Sequence, residues 1–109
     1  VSKYESFFVS SEVHERKITL GDGSEHVLHF RELPAADFRR YAIAQRSDDE
    51  AARVDAMDRL VAACLCEVDG SPAMSLEEAR RLKPHVSAAL FEAVLDVNRV
   101  IPAEDAGNA

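Results

Sequence analysis

Basic charge is in short supply in this chain. Lys and Arg number 13 against 20 Asp and Glu, which gives a net charge of −7 and a pI near 5.0. A phosphate-backbone binder needs clustered Lys and Arg, so the balance argues against a nucleic-acid partner. Arg39, Arg40 and Arg46 form a small basic cluster on one predicted helix. Long apolar runs are also missing: none approaches the ~18 residues of a membrane span, so no membrane partner is expected. The opening VSKYESFFVSS has neither the basic start nor the long apolar core of a signal peptide. Cysteine is limited to Cys64 and Cys66, too few for a disulfide framework and suited to a reducing compartment.

The motifs of catalysis are missing too. There is no CxxC or HExxH ligand spacing, no GxSxG elbow, and no GxGxxG or GxxxxGK[ST] phosphate loop. Cys64-Leu65-Cys66 invites a metal reading. On a helix, however, residues two apart diverge by ~200°, which places Cys64 on the apolar stripe and Cys66 off it. His26 and His29 fall on opposite faces of a regular strand, so they share no ligand site. Carboxylates are plentiful, but a count is not a constellation. The expectation is a non-enzyme with no catalytic, cofactor or metal residues.

What is present is a pattern of elements. EVHERKITL and HVLHFREL flank Gly21-Asp22-Gly23, the signature of a β-hairpin. Ile18, Leu20, Leu28 and Phe30 form its dry face, and helices must cover them because an isolated hairpin is marginal in water. Before the hairpin, Phe7-Phe8-Val9 reads either as a short extra strand or as an arm docking elsewhere. Pro34 opens a helix over 35–46 with Phe38, Tyr41, Ala42 and Gln45 on one face. Ile43 points away from Phe38. Ser47-Asp48-Asp49-Glu50 reads as a capping box, with Ser47 the cap and Glu50 reaching back.

That box starts a helix running to about Glu67, with Val54, Met57, Val61, Cys64, Leu65 and Val68 on one stripe. Asp49–Arg53 and Asp55–Arg59 are i,i+4 pairs. Asp69-Gly70-Ser71-Pro72 ends it. Ser75 and Glu78 make a second capping box for a short helix. Pro84 begins a strongly apolar helix to about Asn98, the expected cover for the hairpin. The predicted fold is α+β, mainly α: an N-terminal β-hairpin, with or without a third short strand, on about four helices. Residues 1–11 read as an arm or short strand, 12–98 as one α+β domain, and 99–109 as a flexible tail.

The run SKYESFFVSSEVHERKITLGDGSEHVLHFRELPAADFRRY resembles the N-terminal part of small tail assembly chaperones of long-tailed phages and prophages. The later layout is similar as well: a capped helix ending in CLCEVDGSPAMS, a short EEARRLKP helix and a final ALFEAVLDVN helix. The resemblance covers nearly the whole chain, and its first third is the most specific part. It implies a non-catalytic protein that acts in the host cytoplasm and is absent from the finished virion. It implies binding to the tape measure protein and to tail tube protein before tube polymerisation. Many such proteins also have a longer frameshifted form, and this chain would match the short one. The family offers no residue motif to transfer.

An acidic helical adaptor or regulatory protein of another phage or bacterial assembly is the alternative. Self-association would extend cover along a long helical partner. The residues expected at a partner surface are Phe7 and Phe8 in the arm, Ile43, and the acids Asp48, Asp49, Asp55 and Asp58. The segment from Ser47 to Asp69 holds seven acids against Arg53 and Arg59, so it could meet a basic or amphipathic segment.

Overall fold

The structure, a computed structural model, describes residues 3–99. The ends of the predicted arm (1–2) and tail (100–109) lie outside the described residues. The fold is α+β and mainly α. The hairpin forms as read, from β1 (Val13–Thr19) and β2 (Glu25–Arg31), antiparallel with Val13 opposite Arg31 and Thr19 opposite Glu25. Its three-residue loop is fixed by Leu20 N–H donating to the Ser24 carbonyl (2.9 Å) and Gly23 N–H donating to the Leu20 carbonyl (2.9 Å). Gly23 sits at φ +87°, the left-handed position that such a loop reserves for glycine. Asp22 locks the loop by accepting from the backbone N–H (2.9 Å) and hydroxyl (2.6 Å) of Ser24.

The helices are α1 (Ala35–Gln45), α2 (Glu50–Cys64), α3 (Leu76–Arg80) and α4 (Pro84–Val97). Ser75 and Glu78 form the expected capping box at α3, and Pro84 occupies the first turn of α4. Phe30 of β2, Val61 and Cys64 of α2 and Val94 of α4 are the largest fully buried side chains. Hairpin, α2 and α4 thus meet in one core, as the dry face of Ile18, Leu20, Leu28 and Phe30 requires.

Four expectations need correction. A third strand exists, β3 (Leu65–Cys66), but it comes from the end of α2 and pairs with β2. Phe7-Phe8-Val9 is not a strand. Phe7 closes a 3₁₀ turn over Glu5–Phe7, Phe8 and Val9 follow it, and all three residues are exposed.

Second, α2 stops at Cys64 because Leu65 turns extended (φ −68°, ψ 127°). Cys66 is therefore a strand residue, buried like Leu65 beside it rather than falling off a helical stripe. Third, α2 is capped by Asp49, whose carboxylate accepts from Ala51 N–H (3.0 Å). Ser47 instead accepts from Asp49 N–H (3.0 Å), two residues too early to cap the helix. Fourth, Val54 is 63% exposed and Val68 73%. Val54 lines up with Val61 but about two turns nearer the N-terminus, and Val68 lies beyond the end of the helix.

The chain between α2 and α3 repeats the hairpin loop. Asp69 accepts from Ser71 N–H (2.9 Å) and its hydroxyl (2.6 Å). Gly70 N–H bonds the Glu67 carbonyl (2.9 Å), Glu67 N–H bonds the Ser71 carbonyl (2.8 Å), and Gly70 sits at φ +87°. Asp22-Gly23-Ser24 and Asp69-Gly70-Ser71 are one turn used twice. The second returns Pro72 beside Cys66.

Three element ends are tied together under this turn. Asn98, following α4, accepts from Leu33 N–H (2.7 Å) and donates to the Val94 carbonyl (2.9 Å). The Cys64 thiol donates to the Arg31 carbonyl (3.1 Å). The Arg31 guanidinium donates to the carbonyls of Ala63 (2.6 Å) and Gly70 (3.4 Å), satisfying groups that the end of α2 leaves open.

Candidate functional site

Two open grooves flank the core. The larger, about 530 Å³, runs between α1 and α2. Its floor is Tyr41, Ala44, Ala52, Ala56, Leu60 and Ala63, and its rim carries Asp37, Arg40, Asp55 and Arg59. The floor follows from small side chains: four alanines at facing positions leave a trough where leucines would fill it. Tyr41 is held from below by the Phe91 ring of α4, 5.4 Å between centroids. On the rim, Asp37 pairs with Arg40 (2.7 Å). Asp55 is gripped by two nitrogens of Arg80 from α3, at 2.7 and 3.1 Å, rather than by Arg59 as the i,i+4 spacing suggested. That Arg80 contact holds the Asp55 carboxyl below the usual carboxylate range.

The second groove, about 400 Å³, lies between the N-terminal arm, the start of β1 and the end of α4. Phe7, Phe8, Leu33 and Val97 contribute its apolar side. Ser10 pins the arm by donating its backbone N–H (2.9 Å) and hydroxyl (3.1 Å) to Glu32. Glu32 is also 2.9 Å from His14 Nε2. The Ser10 N–H and the His14 contact together hold the Glu32 carboxyl below its ordinary range. Glu12, His14 and Glu32 each bring a ligand atom within 4.8 Å of the others, so among the described residues they could hold a cation. Their geometry is already used: Glu32 serves Ser10 and His14, and the exposed Glu12 stands 3.7 Å from His14. Glu12, just before β1, and His14 on it are two apart in the sequence.

The expected partner-surface residues do not converge on one face. Phe7 (76%), Phe8 (66%) and Ile43 (69%) are all strongly exposed, but the first two lie on the arm and Ile43 on α1. Asp49 is spent on capping α2, and Asp55 on Arg80. Burial, and then the charge of Asp55, push the Asp58 carboxyl up. Asp48 is exposed. Sequence reasoning missed the α1–α2 trough.

Fold and surfaces together define a small, mainly α protein that presents apolar troughs with charged rims. No protein-family model matches the chain, and no curated protein does. Among solved structures it is similar to the tail assembly chaperone of bacteriophage HK97, with a TM-score of 0.52 and 18% identity over 77% of this chain and 84% of that one. At that identity the likeness is one of fold.

Proposed function

We propose that this protein is a phage tail assembly chaperone. It binds the tape measure protein, and tail tube protein with it, in the host cytoplasm, and it leaves before the virion is finished. The single observation behind this reading is the shared fold with the HK97 chaperone over most of both chains. It supports the same family that the SEVHER…LGDGSEHVLHFRELP run resembles.

A tape measure protein is long, helical and partly apolar, and needs cover until it is encased. The α1–α2 trough would take the apolar stripe of one helical segment, with Asp37, Arg40, Asp55 and Arg59 meeting its flanking charges. Phe7, Phe8 and Ile43 supply further apolar contact. The protein does this without chemistry of its own.

Co-expression with the tape measure and tube proteins encoded beside it tests the proposal. Both should co-purify with the chain, and the tape measure protein should gain solubility. Charge reversal at Asp48 and Asp58, which leaves the Asp49 cap and the Asp55–Arg80 pair in place, should weaken the complex. A tape measure protein that stays insoluble and uncaptured would refute the proposal.

A further inference from the structure

The sheet order is β1-β2-β3, which leaves β1 as a seven-residue edge. In an antiparallel ladder the hydrogen-bonding direction alternates. Leu20 N–H bonds Ser24 across the hairpin, so Ile18, Arg16 and His14 also turn their backbone groups toward β2. Val13, Glu15, Lys17 and Thr19 therefore turn theirs outward. An arginine side chain confirms that this edge is reachable: Arg16 Nη1 donates to the Glu15 carbonyl at 2.9 Å.

The edge is self-complementary. If a second β1 lies antiparallel with Arg16 at the two-fold axis, Val13 faces Thr19 and Glu15 faces Lys17 of the other copy, twice. In this register every outward N–H and C=O finds a partner. All four charged side chains pair with opposite sign on the face away from the core. Within one copy the Glu15 carboxylate stands 3.6 Å from His29, and Lys17 bonds Glu25 at 3.1 Å. A lysine ammonium has three donors and a carbonyl two lone pairs, so neither these contacts nor the Arg16–Glu15 bond need be lost. The two central arginines meet across the axis, each neutralised by its own Asp96 at 2.9 Å.

We propose that two copies of this chain join edge to edge through β1, in the register that sets Glu15 against Lys17, to make one six-stranded sheet. The order becomes β3-β2-β1-β1′-β2′-β3′, with both α4 helices on the same face. This does not depend on the chaperone reading, and either can fail alone.

Sedimentation of the full chain over a wide concentration range should show a monomer–dimer equilibrium. Lys17→Pro removes an outward N–H that β2 does not use, and an edge strand tolerates proline there. It should abolish the dimer while leaving the circular dichroism spectrum unchanged. Glu15→Lys or Lys17→Glu alone places like charges opposite each other and should weaken the dimer at least about tenfold. An equal mixture of those two variants restores opposite signs at every pair and should recover association. A chain that stays monomeric throughout overturns the proposal. So does a dimer indifferent to Lys17→Pro, or a mixture no stronger than either single variant. Should the proline variant unfold, the mixing experiment decides.

Discussion

Asn98→Ala is the sharpest perturbation of the core. The Asn98 carboxamide oxygen is the acceptor for Leu33 N–H at 2.7 Å, and Leu33 is 8% exposed, so water cannot replace it without opening the structure. An orphaned buried donor costs roughly 1–3 kcal/mol. The Val94 carbonyl loses the side-chain bond at 2.9 Å but keeps one from Asn98 N–H at 3.2 Å, so it adds little. The expected loss is therefore about 2 kcal/mol, nearly all from one N–H. At about 4–8 °C per kcal/mol for a domain of this size, the melting temperature should fall by roughly 8–16 °C. Urea unfolding followed by circular dichroism reads the loss directly, with an unchanged denaturant slope. Asn98→Asp separates acceptor from donor: it keeps an oxygen for Leu33 but sets a carboxylate against the Val94 carbonyl at the negative end of α4. That variant should be unstable at neutral pH and recover as the added carboxyl protonates. A loss below about 0.5 kcal/mol for Asn98→Ala would mean that Leu33 N–H is not the buried orphan this reasoning requires.

Other outcomes follow from the same geometry. Gly23→Ala and Gly70→Ala should each cost about 1–2 kcal/mol and match closely, since both glycines sit at φ +87° and an added Cβ meets nothing closer than 3.6 Å at either; thermal melts of the two variants check this. Asp49→Ala should destabilise α2 by about 0.5–2 kcal/mol and Ser47→Ala by distinctly less, reversing the ranking that the capping-box reading gave; paired urea titrations measure it. Burial pushes the Cys64 thiol up to about 11 and raises Cys66 as well. A thiol reagent at pH 8 should therefore react with both far more slowly in the native protein than in denaturant. The Glu32 carboxyl is held low by Ser10 and His14, so its hold on the arm is complete above the ordinary carboxylate range. It is lost as pH falls through the lowered folded value, and the Ser10 amide resonance should shift in that acidic window.

Much of the fold was legible because local chemistry and burial agree. The hairpin carries both alternation and loop glycine, α3 carries a full capping box, and α4 carries proline followed by a broad apolar stripe. Residues 64–73 misled because helical period continues through Leu65 while the backbone does not. A strand of two residues is too short to show alternation. The recurrence of Asp-Gly-Ser at 22–24 and 69–71 was the available clue. The exposure of Ile43 was one of two readings its place opposite Phe38 allowed, whereas Phe7 and Phe8, read as a strand or a docked arm, turn out exposed. The α1–α2 trough was not, because it depends on how far apart two helices settle, and no single side chain records that distance.

The tie among Arg31, Cys64 and Asn98 joins the ends of β2, α2 and α4, which are far apart in sequence. The Cys64 thiol bonds the Arg31 carbonyl at 3.1 Å and accepts from the Asn98 side-chain amide at 3.7 Å, so the three ends should open together. Helix α1 stands outside that arrangement and has no fully buried residue. The trough thus has one stiff wall, α2, and one wall, α1, that can shift at small cost. Under the proposed chaperone role, a trough of this kind would adjust its width to the segment it takes, so a single copy would serve stretches of a partner that differ in sequence.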